Sequence, residues 1–593
     1  MSTHFFFWPR EQWRPFRLWA SVAMVVGLAA CGRGDPEQPM EVRAPSQPIA
    51  QIPIQDMMMC ADEQAPLIDN LGNYRRHIGA AAETTQYYFD QGMALTYGYY
   101  FPEAIASFNA ALCFEPNNPM IHWGRALAIG PNPNSRYGSA PDDPQDAGYA
   151  AIQRALELAD TVGARDRGLI EALAPLLDKQ TYPDVAERTQ AFIDAAEANF
   201  QRHPEDMEAA FLVAHGIMMS TPWTYFSPQD GSALPLVDRA LDVLEGGLAQ
   251  NPRHPGLTHL HIHLLEASFE PERAEASADR LESLTPMAGH MVHMPGHIYM
   301  RLGRYDDAIS TQERSLAADD VVQAAWGNRP LPREGTYFVS ATNHGGHSRM
   351  FVHWGGILQG SFERASSIID PMIDSLNVDA LSRGSGLRTP VAHWMTLKAF
   401  GRFDDLLALE NPAPGQPYLQ GMLHWMHGAA HASKGHVPMA QQELEALQNI
   451  RQSAADELVT MRANVNSAAD MLAIAEHMLA GEIANADEDY ASAVEHFQQA
   501  VELQDQLRYM EPPDWLQSTR LFLGQALLNA GEPVDAQIVF ERDLLLLNEN
   551  GWALTGLAAA LEAQGDTAGA ATARERQRDA WSAADVELRA PHF

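Results

Sequence analysis

The chain is poor in cysteine, with Cys31, Cys60 and Cys113 its only three in 593 residues. A disulfide-built fold is therefore excluded, and no CxxC pair is present for thiol redox chemistry or a zinc knuckle. Positive charge is scarce: 40 Lys and Arg stand against 76 Asp and Glu, for a net charge of −36. Such a surface repels nucleic acid, so a nucleic-acid partner is not expected. Long apolar runs are also missing. The longest, "LWASVAMVVGLAA", has 13 residues, too few to span a bilayer as a helix. β-Branched and aromatic residues dominate no long stretch, which disfavours sheets. GxSxG, HExxH and P-loop patterns are absent, leaving the standard hydrolase, zincin and nucleotide chemistries without a motif.

The short apolar run follows Arg10, Arg14 and Arg17 and ends at Cys31, the layout of an export signal. Leu28-Ala29-Ala30-Cys31 resembles the lipobox of bacterial lipoproteins. That resemblance implies a signal peptide over 1–30, lipidation of Cys31, and a protein anchored through lipid to the membrane of a bacterial cell envelope. The anchored face is the periplasmic side or the outer membrane, and Gly32 after the cysteine is compatible with outer-membrane sorting. Residues 31–62 are rich in Pro and Gln and read as a flexible tether. In an oxidising compartment Cys60 and Cys113 could pair and staple this segment to the first helices.

Repeats begin soon afterwards. In "YYFDQGMALTYGYYFPEAIASFNAALCFEP", Tyr88, Gly92, Leu95, Ala104, Phe108, Ala111 and Pro116 occupy the positions of the tetratricopeptide pattern. Further copies are marked by Gly296, Gly303 and Ala308, by Gly428, Gly435 and Ala440, and around Ala493, Ala536 and Ala570. The expected fold is an all-α, tetratricopeptide-type solenoid of helical hairpins, a right-handed superhelix with loop insertions. Residues 63–380 form a helical region with a His-rich concave site, and residues 381–593 a C-terminal array. Loops at 130–146, 220–235, 326–335 and 381–390 interrupt the array and are candidate lids.

Ten of the 23 histidines fall between His254 and His353. "THLHIHLLEA", Thr258 to Ala267, taken alone could be a strand, but the repeat register makes it a helix. Ala274 and Ala308 occupy one repeat position 34 residues apart, and the same offset maps His259 onto His293 and His263 onto His297. Each pair is spaced i, i+4, so both imidazoles share a helix face and can ligate one ion. Glu266 continues the first face and His290 the second. His344 and His347 follow at i, i+3, and His215 falls at about the same helix-face position one hairpin earlier. Pro295, between His293 and His297, threatens this geometry: a helix that starts there would leave His290 and His293 on the entering loop.

These blocks resemble a group of bacterial tetratricopeptide-repeat proteins. They share a "FDQG" opening, a "WGxALAxGPNxN" segment, here Trp123 to Asn134, a "RxLIEAL" helix, and the "HPGxxHxxIHxxEAS" and "GHxxHMPxHIYxRxGRY" blocks. The resemblance spans about residues 70–450 and supplies a fold and a His-rich signature, without a reaction. The chain departs from the group in carrying Gly after His344, where Asn is usual, and His215, where Glu is usual. The combined expectation is a transition-metal ion, copper or zinc ahead of iron, held by His215, His259, His263, Glu266, His290, His293, His297, His344 and His347. An open coordination position would make a metalloenzyme with Glu266 or a spare histidine as base, and saturated coordination a storage or delivery protein. The competing expectation is a non-enzymatic scaffold that binds a protein or peptide in the C-terminal groove.

Overall fold

A computed structural model describes residues 65–134, 145–221, 223, 225–227, 230–382, 384, 386–588 and 590–592. The expected signal peptide, Cys31, the tether and Cys60 lie outside the described residues. Cys113 is disulfide-bonded. Regular structure among the described residues is helical, with two isolated β-bridges, Phe226 to Ala233 and Arg462 to Ser467, and no strand. None of the described helices is long and apolar enough to cross a membrane.

The fold is all-α, a solenoid of tetratricopeptide-type hairpins. Helix Glu83–Tyr97 packs on Phe101–Phe114, Pro417–Ser433 on Val437–Ser453, Ala468–Ala486 on Tyr490–Asp505, and Gly551–Ala563 on Thr567–Ala580. The second helix of a hairpin also packs on the first helix of the next, as Phe101–Phe114 does on Pro119–Ile129. Local sequence sets the boundaries. Pro119, Pro255, Pro417 and Pro533 open helices at a position where the missing N–H costs nothing. Ser467 and Asp470 form a reciprocal capping box. Gly303, at φ +76°, ends the helix Pro295–Leu302 in the left-handed conformation.

One packing device recurs along the array. Phe108 lies over Gly92 of its own hairpin and Gly124 of the next, so a Cβ on either glycine would stand 2.7 or 2.6 Å from its ring. Phe497 covers Gly481 in the same way, and Phe540 covers both Gly524 and Gly556. In each case the aromatic stands sixteen residues after the glycine of its own hairpin. The missing side chain lets the ring enter the helix–helix seam at van der Waals contact.

"THLHIHLLEA" is helical over Pro255–Leu265, with His254 at its N-cap accepting from the Leu257 N–H at 3.2 Å. The break feared at Pro295 is mild. Helix Gly289–His293 runs into Pro295–Leu302 through Met294, which keeps helical dihedrals of −57° and −36°. His290 and His293 are therefore helical, because proline at a first helical position costs no hydrogen bond the helix would otherwise make there.

The C-terminal helices return to the centre of the array. Trp552 and Trp581 donate their indole N–H groups to the Ile357 and Leu358 carbonyls, both at 2.9 Å. Tyr305 donates to the Asn548 carbonyl at 2.7 Å, and Arg301 Nε to the Leu546 carbonyl at 2.8 Å. Phe108→Ala should destabilise the first hairpins by about 3–5 kcal/mol, since one ring fills two glycine notches. Hydrogen exchange should show faster opening of Glu83–Tyr97 and Pro119–Ile129, with the helices after Pro417 unchanged.

Candidate metal centre

Four helices converge on the histidines. Pro255–Leu265 carries His259 and His263, Gly289–His293 carries His290 and His293, Pro295–Leu302 carries His297, and Gly345–Leu358 carries His347, with His344 immediately before it. The donors form three groups, each with ligand atoms within 4.8 Å of one another: His259, His263 and His290; His290, His293 and His344; His293, His297 and His347. Shared His290 and His293 link the groups into one chain of seven imidazoles. Six are buried and His347 is partly exposed, so one end of the chain faces outward.

The outer nitrogens decide what the inner ones can do, because an imidazole nitrogen facing an oxygen acceptor carries the proton and leaves the other as a lone pair. His259 Nδ1 donates to the Tyr97 carbonyl at 2.6 Å. His263 Nδ1 lies 3.3 Å from Glu266 Oε1. His344 Nδ1 lies 3.1 Å from Asp319, whose other oxygen accepts from the Tyr100 hydroxyl. His293 Nδ1 donates to Gln312 Oε1, and the Gln312 amide is fixed by donating its own N–H to the His293 carbonyl at 3.1 Å. His297 Nδ1 is at ion-pair distance from two carboxylates, Glu266 at 2.8 Å and Glu511 at 3.1 Å, off the ideal hydrogen-bond direction. Five imidazoles thus hold Nδ1 outward against oxygen and turn Nε2 inward.

The inner nitrogens meet one another. His293 Nε2 stands 2.9 Å from His297 Nε2, and His259 Nε2 stands 3.2 Å from His290 Nε2. Lone pairs repel at that separation unless a proton or a cation lies between them. Burial drives His259, His290, His293 and His347 well below the usual imidazole value, and neighbouring imidazoles drive them further. Burial also opposes charge on Glu266 and His297, but their attraction prevails. The Glu266 carboxyl is lowered to about 2, and His297, facing Glu266 and Glu511, is raised to about 10. His297 is the cation of the group, and its proton fills the gap to His293.

Aromatic rings wall the cluster. Tyr99, held at φ +58°, sets its ring 4.6 Å from His259, 5.4 Å from His290 and 5.6 Å from His263 between centroids. Trp223, from the loop expected to act as a lid, lies 4.8 Å from His263. Phe351 lies 4.6 Å from His297 and 4.9 Å from His293.

Seven of the nine expected ligands come together. His215 does not join them: it belongs to none of the donor groups, and its Nε2 faces the Pro131 carbonyl at 3.1 Å between Phe192 and Phe211. Glu266 stands behind the imidazoles, on their Nδ1 atoms, and is not among the donor groups. Asp319, Glu511, Gln312 and Tyr99 escape sequence reasoning. Gln312 alone leaves a trace. It stands sixteen residues after Gly296, the position that Phe108, Phe497 and Phe540 hold in their hairpins, and fills the same notch over the glycine.

Comparison with known proteins agrees with this architecture and adds no activity. Residues 296–320 match the tetratricopeptide repeat family model. That segment contains His297 and Gln312. No curated protein matches the chain. Among solved structures, a human IFIT1 dimer with PPP-AAAA is 11% identical, covering 85% of this chain and 92% of that one at a TM-score of 0.28. Yeast Tom70 is 11% identical, covering 84% and 93% at 0.27. The Cut9 and Hcn1 hetero-tetramer of the APC/C is 12% identical, covering 71% and 94% at 0.24. Scores this low carry no inference about function.

The lowered imidazoles set the acid response of the metal-free protein. A histidine whose folded value lies below its unfolded value contributes stability that is intact above about pH 6.5, and lost as the unfolded chain takes up protons that the folded chain refuses. His259, His290, His293 and His347 all act in this direction. The Glu266–His297 pair is neutral to this window, because its losses come below about pH 4.5 and above about pH 6.5. The melting temperature of metal-free protein should therefore fall steeply between pH 6.5 and 5, and a flat profile would contradict the buried neutral state.

Proposed function

We propose that this chain is an exported, lipid-anchored tetratricopeptide-type protein that holds transition-metal ions in its central histidine cluster. The observation that carries this is the orientation of the rings: five imidazoles are pinned at Nδ1 by oxygen acceptors and present Nε2 to a common interior. Carboxylate and carbonyl groups behind histidine ligands are what fixes ring orientation and raises basicity in metal sites. A purely structural use of these residues accounts poorly for His290, whose single N–H cannot serve both His259 and His344. A bound ion would take the place of the repulsion, and an ion on His293 Nε2 would displace the proton it shares with His297.

An all-imidazole donor set suits copper or zinc, with iron behind them for want of a carboxylate in the donor groups. His347, partly exposed, marks the side from which an ion would enter. The chain lets Glu266, Glu511, Asp319 and Gln312 orient the ligands, while Tyr99, Trp223 and Phe351 keep water from the rings. The lipid anchor rests on the Leu28-Ala29-Ala30-Cys31 sequence. Cys31→Ala should move the protein from the membrane fraction to the soluble fraction; retention at the membrane would remove the anchor from this reading.

Metal content should be measured on protein purified without an affinity tag and reconstituted separately with copper, zinc and iron. The parent chain should retain copper or zinc through dialysis, and a His259→Ala/His263→Ala variant should retain less. Absence of metal from both refutes the proposal. Gln312→Met keeps the notch over Gly296 filled but frees His293 Nδ1, and affinity should drop by about 10–100-fold, the usual effect of losing an orienting partner. An unchanged affinity would mean that Gln312 only packs.

A further inference from the structure

His290 and His293 are each shared by two donor groups, yet their rings are held differently. His293 has Nδ1 committed to Gln312, so only its Nε2 is available as a donor. His290 has neither nitrogen committed to an oxygen acceptor. Its Nε2 faces His259 Nε2 at 3.2 Å, and its Nδ1 faces His344 Nε2 at 3.4 Å, on the opposite edge of the ring. Both facing atoms are lone-pair nitrogens, because the Tyr97 carbonyl and Asp319 hold the Nδ1 protons of His259 and His344. Tyr99 stacks on the His290 ring at an interplanar angle of 20°, which restrains it from turning out of this position.

We propose that His290 is a bridging ligand, joining two divalent first-row metal ions through its two ring nitrogens as an imidazolate. This rests on the metal-binding reading above and specifies its stoichiometry. One ion takes His259, His263 and Nε2 of His290. The other takes Nδ1 of His290 with Nε2 of His344 and of His293. A neutral imidazole carries one N–H, so forming the bridge breaks that bond: the nitrogen electron pair goes to the second ion, and one proton leaves to solvent. His293 cannot bridge in the same way, so the third group draws on a nitrogen already used. The seven histidines therefore hold two ions rather than three.

The full-length protein loaded with copper(II) and kept oxidised distinguishes these arrangements, because an imidazolate couples the two electron spins. The expected result is two copper ions per chain and a low-temperature paramagnetic resonance signal far smaller than the copper content, which returns to two spins per chain on acid denaturation under argon. His290→Ala should give an uncoupled signal, and the parent measurement stands if that variant does not fold. A native signal already equal to two spins per chain, or a single copper per chain, would overturn the bridge and leave the metal-binding reading intact. Binding of neither copper nor zinc would overturn both.

Discussion

Imidazoles packed side by side in a dry interior can coexist only when each ring nitrogen has an assigned partner. A buried polar atom left unpaired costs about 1–3 kcal/mol, and two lone pairs aimed at each other cost more. The centre meets this constraint from outside inward. Tyr97, Glu266, Gln312, Asp319 and Glu511 lie at the outer nitrogens. The inner nitrogens then have only one another: a proton joins His297 to His293, and the single N–H of neutral His290 can serve His259 or His344 but not both, leaving one lone-pair contact that a bound cation would relieve.

The surrounding solenoid departs from its own rules to supply those partners. Where Phe108, Phe497 and Phe540 fill glycine notches elsewhere, the central hairpin uses Gln312 over Gly296. Asp319 is buried on the long helix Tyr305–Trp326, beside Gly289, where a Cβ would collide with its carboxylate. Tyr99 occupies a left-handed conformation that a residue of its size seldom adopts, and its ring spans three histidines. The C-terminal helices close on the centre through Trp552, Trp581 and Tyr305, a return that accompanies the arrival of Glu511 beside His297.

Much of this was legible in the sequence, because helical repeats write three-dimensional neighbours into a linear period. The offset of 34 residues paired the two histidine helices and corrected the strand-like appearance of "HLHIHLLE". The partners behind the rings were not legible in the same way. Glu511 is brought in from another part of the array, and no periodicity links it to His297. Asp319 looks like one more acid on a charged helix until its burial is known. Pro295 misleads in the opposite sense, since only Met294's dihedrals show that two short helices continue one another. His215 shares the face position of the ligands but points to a backbone carbonyl, a distinction made by three-dimensional placement alone.

The central claim is that ions sit between the rings, on nitrogen alone. Anomalous diffraction at the zinc or copper edge, from crystals of metal-loaded full-length protein, tests it most directly. The account predicts anomalous peaks enclosed by His259, His263, His290, His293 and His344, with Nε2 of His259 and His344 turned toward metal and Glu266 and Asp319 still on the Nδ1 atoms. Peaks confined to surface carboxylates, with the central rings still paired nitrogen to nitrogen, would contradict it.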